Sequence, residues 1–366
     1  MAFLTDWTYR KSHVIEYAAG AGTLYQKRIK VHYGAGTDSG EDVYLNSHSR
    51  TDFGDVRFTD DDGITLLDYW LESKVDSDYA CFWVEVADDL STVNQTIYVY
   101  YGKADATTTS NGANTFLVFD DFSGADNWLN LGGATHSISN GQMSCSDSGS
   151  DGQVYRNIVL ANNFIFRWKR ISNANSFWGA CVIHNDGVNV PSGYLVDINT
   201  GNWNIWYGNG ASWTSILGVS GVAVGSKVEI YRYGSTLKLF VDGVEKASVT
   251  HATLTSGRVS FRQLVSRDKV VDDVIVRKYV DPEPAHGSWG SEETSGQVYT
   301  VDLTQTVTTT LSSQAKTDFT LTISQPVTST FTSLLNWNAL LNLQNNPSIT
   351  LTESSRTDFI LTVSQV

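Results

Sequence analysis

Between Tyr25 and Tyr33, apolar or long residues (Tyr25, Ile29, Val31, Tyr33) alternate with Gln26, Arg28, Lys30 and His32. That period of two is what a half-buried strand imposes, one face in a core and the other in water. Asp55 to Asp60, Leu66 to Glu72, Tyr79 to Val86 and Thr96 to Tyr101 continue the series, with Asp60-Asp61-Asp62-Gly63 as a turn. Together they predict an antiparallel sandwich of roughly a hundred residues. Its closing strand ends at Gly102, and Ala104 to Asn114, small and polar with no apolar period, reads as a connector. Phe116 to Phe122 then restarts the pattern around Asp120 and Asp121, and Asp242-Gly243 between two apolar runs signals a hairpin.

From Thr294 to Val366 the composition turns to Thr, Ser, Leu, Val and Gln, and it repeats. LSSQAKTDFTLTISQ, from Leu311, returns forty positions later as LTESSRTDFILTVSQ, from Leu351, so a period near forty is expected of a repeated unit. Alternation at Phe319, Leu321 and Ile323, and at Phe359, Leu361 and Val363, gives each unit a strand with one apolar face. The second copy stops at Val366, directly after Leu361-Thr362-Val363-Ser364-Gln365. Two short units bury little apolar surface by themselves, which predicts an element that pairs with neighbouring subunits in a homo-oligomeric assembly. Phe319, Phe331, Leu334, Leu335, Trp337, Leu340, Leu341 and Phe359 are too much apolar content for a solvated stalk.

A chain of 366 residues exceeds one core. The expected division is 1–103, a first sandwich; 104–116, a connector; 117–293, a second sandwich; and 294–366, the repeat region. The net charge of −14 repels phosphate backbones and argues against nucleic acid as a partner. Cys81, Cys145 and Cys181 show neither a CxxC nor a Cys/His ligand spacing, so a disulfide framework and structural zinc are not expected. The start, MAFLTDWTYRKSH, lacks a charged region followed by an apolar core, which predicts synthesis without Sec export. No apolar run approaches ~18 residues, so membrane insertion is not expected.

Trp7-Thr8-Tyr9-Arg10-Lys11, Val56-Arg57-Phe58-Thr59-Asp60 with Asp62-Gly63, Leu67-Asp68-Tyr69-Trp70-Leu71-Glu72-Ser73, Phe82-Trp83-Val84-Glu85-Val86 and Ile97-Tyr98-Val99-Tyr100-Tyr101-Gly102 stand in order. Over about residues 5 to 102 they resemble the domain of unknown function numbered 2341, a family of surface and viral proteins with no settled activity. From Phe119 onward the chain is similar to concanavalin A-like lectin and glucanase jelly rolls. The matching features are Phe119-Asp120-Asp121-Phe122 with Trp128, the Asn140-Gly141 turn, the hairpin from Leu237 to Val244 and the closing run from Val271 to Tyr279. Asp281-Pro282-Glu283-Pro284 through Gly290-Ser291-Glu292-Glu293 resembles the tail that ends this pairing of modules. The expected fold is therefore all-β: two consecutive antiparallel sandwiches, the second a jelly roll, plus a β-rich repeat.

Glucanases of this class carry paired carboxylates two strand steps apart on one strand, and no Glu-x-Asp-x-Glu or Glu-x-Asp-x-x-Glu string lies between Phe119 and Trp289. Asp272 and Asp273 are adjacent, so on a strand they face opposite ways. Nucleophile elbows, Walker loops and His-Glu-x-x-His are absent, and His184 reads as a loop residue. No catalytic residue is expected. First and last jelly-roll strands are neighbours, which would bring Asp120 or Asp121 toward Asp272 or Asp273 and offer a structural calcium its oxygen ligands; the competing reading has these aspartates capping turns. Trp203, Asn204, Trp206, Tyr207 and Trp213 form the densest aromatic and amide stretch, the chemistry of a sugar platform, which Trp178 and Tyr194 would widen. Strand parity puts Trp203, Ile205 and Tyr207 on one side and Asn204 and Trp206 on the other, so part of the set belongs to a core. The resulting expectation is a non-enzymatic virion-surface protein of capsid-decoration or tail-fibre type, with a lectin-like domain that binds a host or surface glycan. A cell-surface adhesin or carbohydrate-binding module is the second reading and a glycoside hydrolase the third.

Overall fold

A computed structural model describes residues 2–171, 178–184, 192–199, 201–222, 227–251, 256–263, 269–295, 299–303, 317–323, 328–333, 337–343, 348–353 and 358–363; within several of these strands, and throughout from 299 onward, it describes the backbone alone.

The first sandwich holds β1 (Tyr9–Ile15), β2 (Tyr25–His32), β3 (Asp42–Tyr44), β4 (Arg57–Thr59), β5 (Tyr69–Val75), β6 (Tyr79–Val86) and β7 (Gln95–Tyr101). One sheet runs β3-β2-β6-β5, with β2 antiparallel to β6 from Tyr25↔Val86 to His32↔Tyr79. Tyr25, Ile29, Val31, Phe82 and Val84 enter the core from it and meet Ile15, Phe58, Ile97 and Val99 of the other sheet. A single helical turn, α1 (Gly112–Thr115), capped by the Asn111 side chain, then leads to the second sandwich.

There, β8 (Val118–Asp120) precedes a long hairpin of β9 (Trp128–Ser139) and β10 (Gln142–Arg156). Next come β11 (Leu160–Ala161), β12 (Phe164–Arg170), β13 (Trp178–His184), β14 (Ser192–Asn199), β15 (Gly201–Asn209) and β16 (Trp213–Val222). β17 (Lys227–Tyr233), β18 (Thr236–Val241), β19 (Val244–Thr250), β20 (Ser256–Gln263) and β21 (Lys269–Lys278) close it. β10 serves both layers: Met143 to Cys145 pair with β21 and Gly152 to Tyr155 with β20. Gly152 marks the crossing, because a Cβ there would lie 2.2 Å from the Ala134 nitrogen. The expected Asn140-Gly141 and Asp242-Gly243 turns are present, all four residues at positive φ as a two-residue hairpin requires. One layer runs β16-β15-β14-β13-β20-β10 and the other β10-β21-β12-β17-β18-β19, with Trp168, Phe166, Phe261, Trp203 and Ile230 among the core between them.

Two expectations are corrected here. The chain returns to the first sandwich after Lys278: β22 (His286–Trp289) and β23 (Glu293–Thr294) both pair with β1, giving a sheet β22-β1-β7-β4. The expected boundary at 293 thus includes a return segment that completes the first sandwich, and the second is inserted within it. The supposed wet face of β2 is also not wet. Gln26 is buried, its Oε1 accepting from the Lys278 backbone N–H at 3.0 Å, and Arg28 shares Glu72 with Arg167 of β12. The face is polar because the neighbouring sandwich supplies its partners.

That joint is dense. Trp83, Phe116 and Ile275 form a small core of their own, with Trp70 and Phe119 packed against it. Arg277 lies 4.9 Å from the Trp83 ring centroid and pairs with Glu283 at 2.8 Å. Burial disfavours its charge, and Glu283 outweighs that and holds the guanidinium above its ordinary pKa. Glu72 is likewise penalised by burial, yet Arg167, Lys227 and Arg28 leave its carboxyl below the usual range.

In the tail, β24 (Tyr299–Leu303), β25 (Thr317–Ile323), β26 (Thr328–Ser333), β27 (Trp337–Leu343), β28 (Ser348–Glu353) and β29 (Asp358–Val363) form two parallel sheets, β24-β25-β27-β29 and β26-β28. Tyr299 pairs with Phe319, Phe319 with Ala339, and Ala339 with Phe359; Thr328 pairs with Ser348. Each step is twenty residues, which halves the expected period of forty. Coils of alternate type explain the difference, since Thr317-Asp318-Phe319 and Thr357-Asp358-Phe359 flank Trp337-Asn338-Ala339 while Leu321, Leu341 and Leu361 recur at every step.

Candidate functional site

β15 divides the aromatic stretch as its parity requires. Trp203, 1 % exposed, and Ile205 sit in the core beside Tyr194 and Val196, with half-buried Tyr207 packed against them. The Tyr207 ring is 4.6 Å from His251, which also meets the Tyr194 hydroxyl at 2.9 Å. Of the five expected sugar-binding residues, Trp203 and Tyr207 therefore face the core, because a sandwich sheet must bury one side of each strand. Tyr194 does the same, and the side chain of Trp178 lies outside the described residues.

Asn204 and Trp206 occupy the other face, and the register shows what joins them. Gln153, Arg262, Gly179, Asp197, Asn204 and Gly218 form one row across β10, β20, β13, β14, β15 and β16. Tyr155, Ser260, Cys181, Leu195, Trp206 and Ser215 form the next. Although this face points away from the core, Ser260 (0 %), Gln153 (2 %) and Asp197 (7 %) are scarcely exposed. The Ser260 hydroxyl donates to Gln153 Oε1 at 2.6 Å, which fixes the floor. Buried polar side chains outside a core are expensive unless they hold one another or a ligand.

The face is concave. Arg262 and Trp213 belong to β20 and β16, four strand positions apart, about 19 Å on a flat sheet, yet the guanidinium carbon lies 5.0 Å from the indole centroid. Gly208 stands opposite Trp213, and Gly193 opposite Gly208, so no side chain intervenes on those strands. Trp206, Trp213 and Asn204 are half-buried, each presenting part of its surface. The arrangement is a groove with an amide, hydroxyl and carboxylate floor and two indoles above it. It can stack a ring and bond hydroxyls at once.

Gln153, Asp197, Ser260 and Arg262 were not among the residues expected from sequence. The signal is present in Arg258-Val259-Ser260-Phe261-Arg262 and Tyr194-Leu195-Val196-Asp197, where core parity at Val259, Phe261, Tyr194 and Val196 assigns the polar residues to the opposite face.

The four aspartates expected to hold calcium are not gathered into a site. β8 does pair with β21, Asp120 opposite Val274. The Asp120 carboxyl, however, accepts from Trp128 Nε1 at 2.9 Å, from the Phe122 N–H at 2.8 Å and from Arg156 at 3.2 Å, and burial pushes its pKa up. Asp121 accepts from the Ser123 hydroxyl at 2.7 Å, and Asp272 from the Asp273 N–H at 2.9 Å. Burial beside Asp272 pushes the Asp273 carboxyl up, and no three of the four bring ligand atoms within 4.8 Å of one another. Among the described residues Asp60, Asp61 and Asp88 do approach so closely, on the first sandwich.

Residues 52–131 match the family described as Domain of unknown function (DUF2341), beginning later and running further than the sequence blocks at 5 to 102. No curated protein matches the chain. Among solved structures it is similar to the carbohydrate-binding module CBM66 from Bacillus subtilis, with 10% identity over 42% of this chain and 96% of that one and a TM-score of 0.36. It is similar also to a protein of unknown function with a galectin-like fold from Bacillus subtilis (11% identity, 44% and 96% covered, TM-score 0.36). A third is the β-glucanase of Bacillus licheniformis (13% identity, 44% and 98% covered, TM-score 0.35). Likeness at this level concerns the β-sandwich fold alone.

Proposed function

We propose that the second sandwich is a glycan-binding domain, with the groove over β10, β20, β13, β14, β15 and β16 as its site. The observation that carries this reading is the buried floor of Gln153, Ser260 and Asp197 on a face opposite the core, under the part-exposed rings of Trp206 and Trp213. Trp206 stacks on a sugar face, Asn204 and Gln153 bond hydroxyls, and Trp213 closes one side. Binding is favoured over cleavage because no Glu-x-Asp-x-Glu or Glu-x-Asp-x-x-Glu string, the paired carboxylates of such hydrolases, lies between Phe119 and Trp289. In this reading the chain is a surface-display protein, of a virion in the first instance and of a cell in the second. The four sheets of the sandwiches lie in succession with the groove on one outer surface, while the tail leaves beside β1 of the farthest sheet, where the Ser295 N–H donates to the Thr8 carbonyl. The stacked coils after 299 act as the assembly element, and many copies raise a weak single-site affinity.

A glycan array probed with the full chain tests the reading. Retained signals that fall roughly tenfold in Trp206→Ala, with an unchanged melting temperature, support it. No signal on any glycan, or signals indifferent to Trp206→Ala and Asn204→Ala, would refute it.

A further inference from the structure

We infer that Lys11 and Asp38 of the first sandwich condense to an amide, a covalent link between its two sheets. Along β1 the positions that share the core-facing parity are Tyr9, Lys11, His13 and Ile15, and Lys11 stands opposite the fully buried Val99. A lysine in that row is unusual, since its charge is seldom buried without a partner. Here it is 5 % exposed and reaches one carboxylate, its Nζ lying 2.7 Å from Asp38 Oδ2. Asp38, with 15 % of its side chain exposed, sits in the turn before β3, which belongs to the opposite sheet. That turn is held from two sides. Ser39 and Asp42 exchange backbone hydrogen bonds, and Trp289 Nε1 of the return segment donates to the Gly40 carbonyl at 3.0 Å.

The contact has the parts of a condensation. Tyr44 holds both reactants with its own peptide groups: its carbonyl accepts from Lys11 Nζ at 2.7 Å, and its N–H donates to Asp38 Oδ1 at 2.8 Å. One strand residue thus places amine and carboxyl against each other, which removes most of the entropy cost of bringing them together. Passage of one proton from Nζ to Oδ2 gives a neutral amine and a neutral acid, a pair that needs no water to solvate its charges. The Nζ lone pair then attacks Cγ, the C=O electrons move to Oδ1, and the Tyr44 N–H stabilises the charge that develops there. A second proton passes from nitrogen to Oδ2, the carbonyl re-forms, and Oδ2 leaves as water. One N–C bond forms, one C–O bond breaks, and nothing is oxidised or reduced. The amide staples β1 to the opposite sheet. Because β1 also pairs with the return segment, and Thr8 accepts from Ser295 where the tail leaves, the link lies where an assembled tail would pull on the sandwich.

Mass spectrometry of the intact full chain, held at neutral pH and then denatured, reads the link directly. The chain is expected to be lighter than its sequence by one water. Trypsin cannot cleave after a joined Lys11, so residues 11–27 and 31–50 should appear as one branched species whose fragments place the amide between Lys11 and Asp38. Lys11→Arg and Asp38→Ala should each restore the full mass, and a variant that is still one water light counts against the proposal. Should either variant fail to fold, the peptide map of the unsubstituted chain decides by itself. A chain of full mass whose two peptides separate contains an ion pair only and overturns the inference. A missing water that maps to another residue pair, or to a cyclised aspartate, overturns it equally.

Discussion

The two outer faces of the second sandwich both present arginines and do opposite things. On the β21-β12-β17 side, Arg277 and Arg167 reach the first sandwich, Arg277 packing on Trp83 of β6 and Arg167 pairing with Glu72 of β5, while Glu283 of the return segment pairs with Arg277. On the β14-β15-β16 side, Arg262, Trp213, Trp206 and Asp197 line a concave surface that the first sandwich never reaches. Arginine thus joins two sandwiches on one face and lines a groove on the other. Composition does not separate the two; register and topology do.

The comparison breaks first at the joint. β22 and β23 pair with β1; the Trp289 ring stacks 3.7 Å from that of His13, and the Tyr101 hydroxyl donates to Glu292 at 2.6 Å. A chain ending at Tyr279 should lose the cooperative unfolding of the first sandwich, and one ending at Ser295 should keep it. Thermal melts followed by circular dichroism distinguish them, and a normal melt for the shorter chain would mean that the return segment is decoration. Next in size, Arg277→Ala should cost about 3 kcal/mol, because it removes a buried side chain packed on Trp83 and the ion-pair partner of half-buried Glu283. A comparable loss, about 3–5 kcal/mol, is expected for Trp203→Ala in the core, against less than about 0.5 kcal/mol for Trp206→Ala in the groove, measured by denaturant unfolding.

The smallest effect concerns pH. His13 Nε2 and His286 Nδ1 meet at 2.9 Å where the return segment docks. Burial, with Lys27 nearby, pushes both imidazoles down to about 3 from 6.5. Above 6.5 they are neutral in both states and stability is unaffected. As pH falls from 6.5 toward 3 the unfolded chain takes up protons that the folded chain refuses, so stability declines over that window. Unfolding midpoints should fall with acid in the wild type and less steeply in His286→Gln; parallel slopes would remove these histidines from the account.

Much of this architecture is legible in the residues. Period-two alternation marks β2 and β18, the Asn140-Gly141 and Asp242-Gly243 dipeptides mark hairpins, and parity alone splits Trp203 from Trp206. The return of His286-Gly287-Ser288-Trp289 to β1 is not legible: four residues carry no period, and their partners lie more than 270 positions away. The buried polar face of β2 misleads for a related reason, since a pattern reports polarity and not whether water or Arg167 satisfies it. In the groove, Trp206 stands out by composition, whereas Gln153, Asp197 and Arg262 become a row only when three strand pairings bring them into line.

The central claim, that the groove face binds glycan while the core and joint do not, is tested most directly by the indole N–H resonances of the eleven tryptophans, assigned by substitution and followed in the full chain as the saccharide from the array is added. The account predicts that Trp206 and Trp213 shift in a saturable way while Trp203, Trp168 and Trp83 stay in place. Shifts confined to Trp70 and Trp83, or a saturable shift of neither Trp206 nor Trp213, would contradict it.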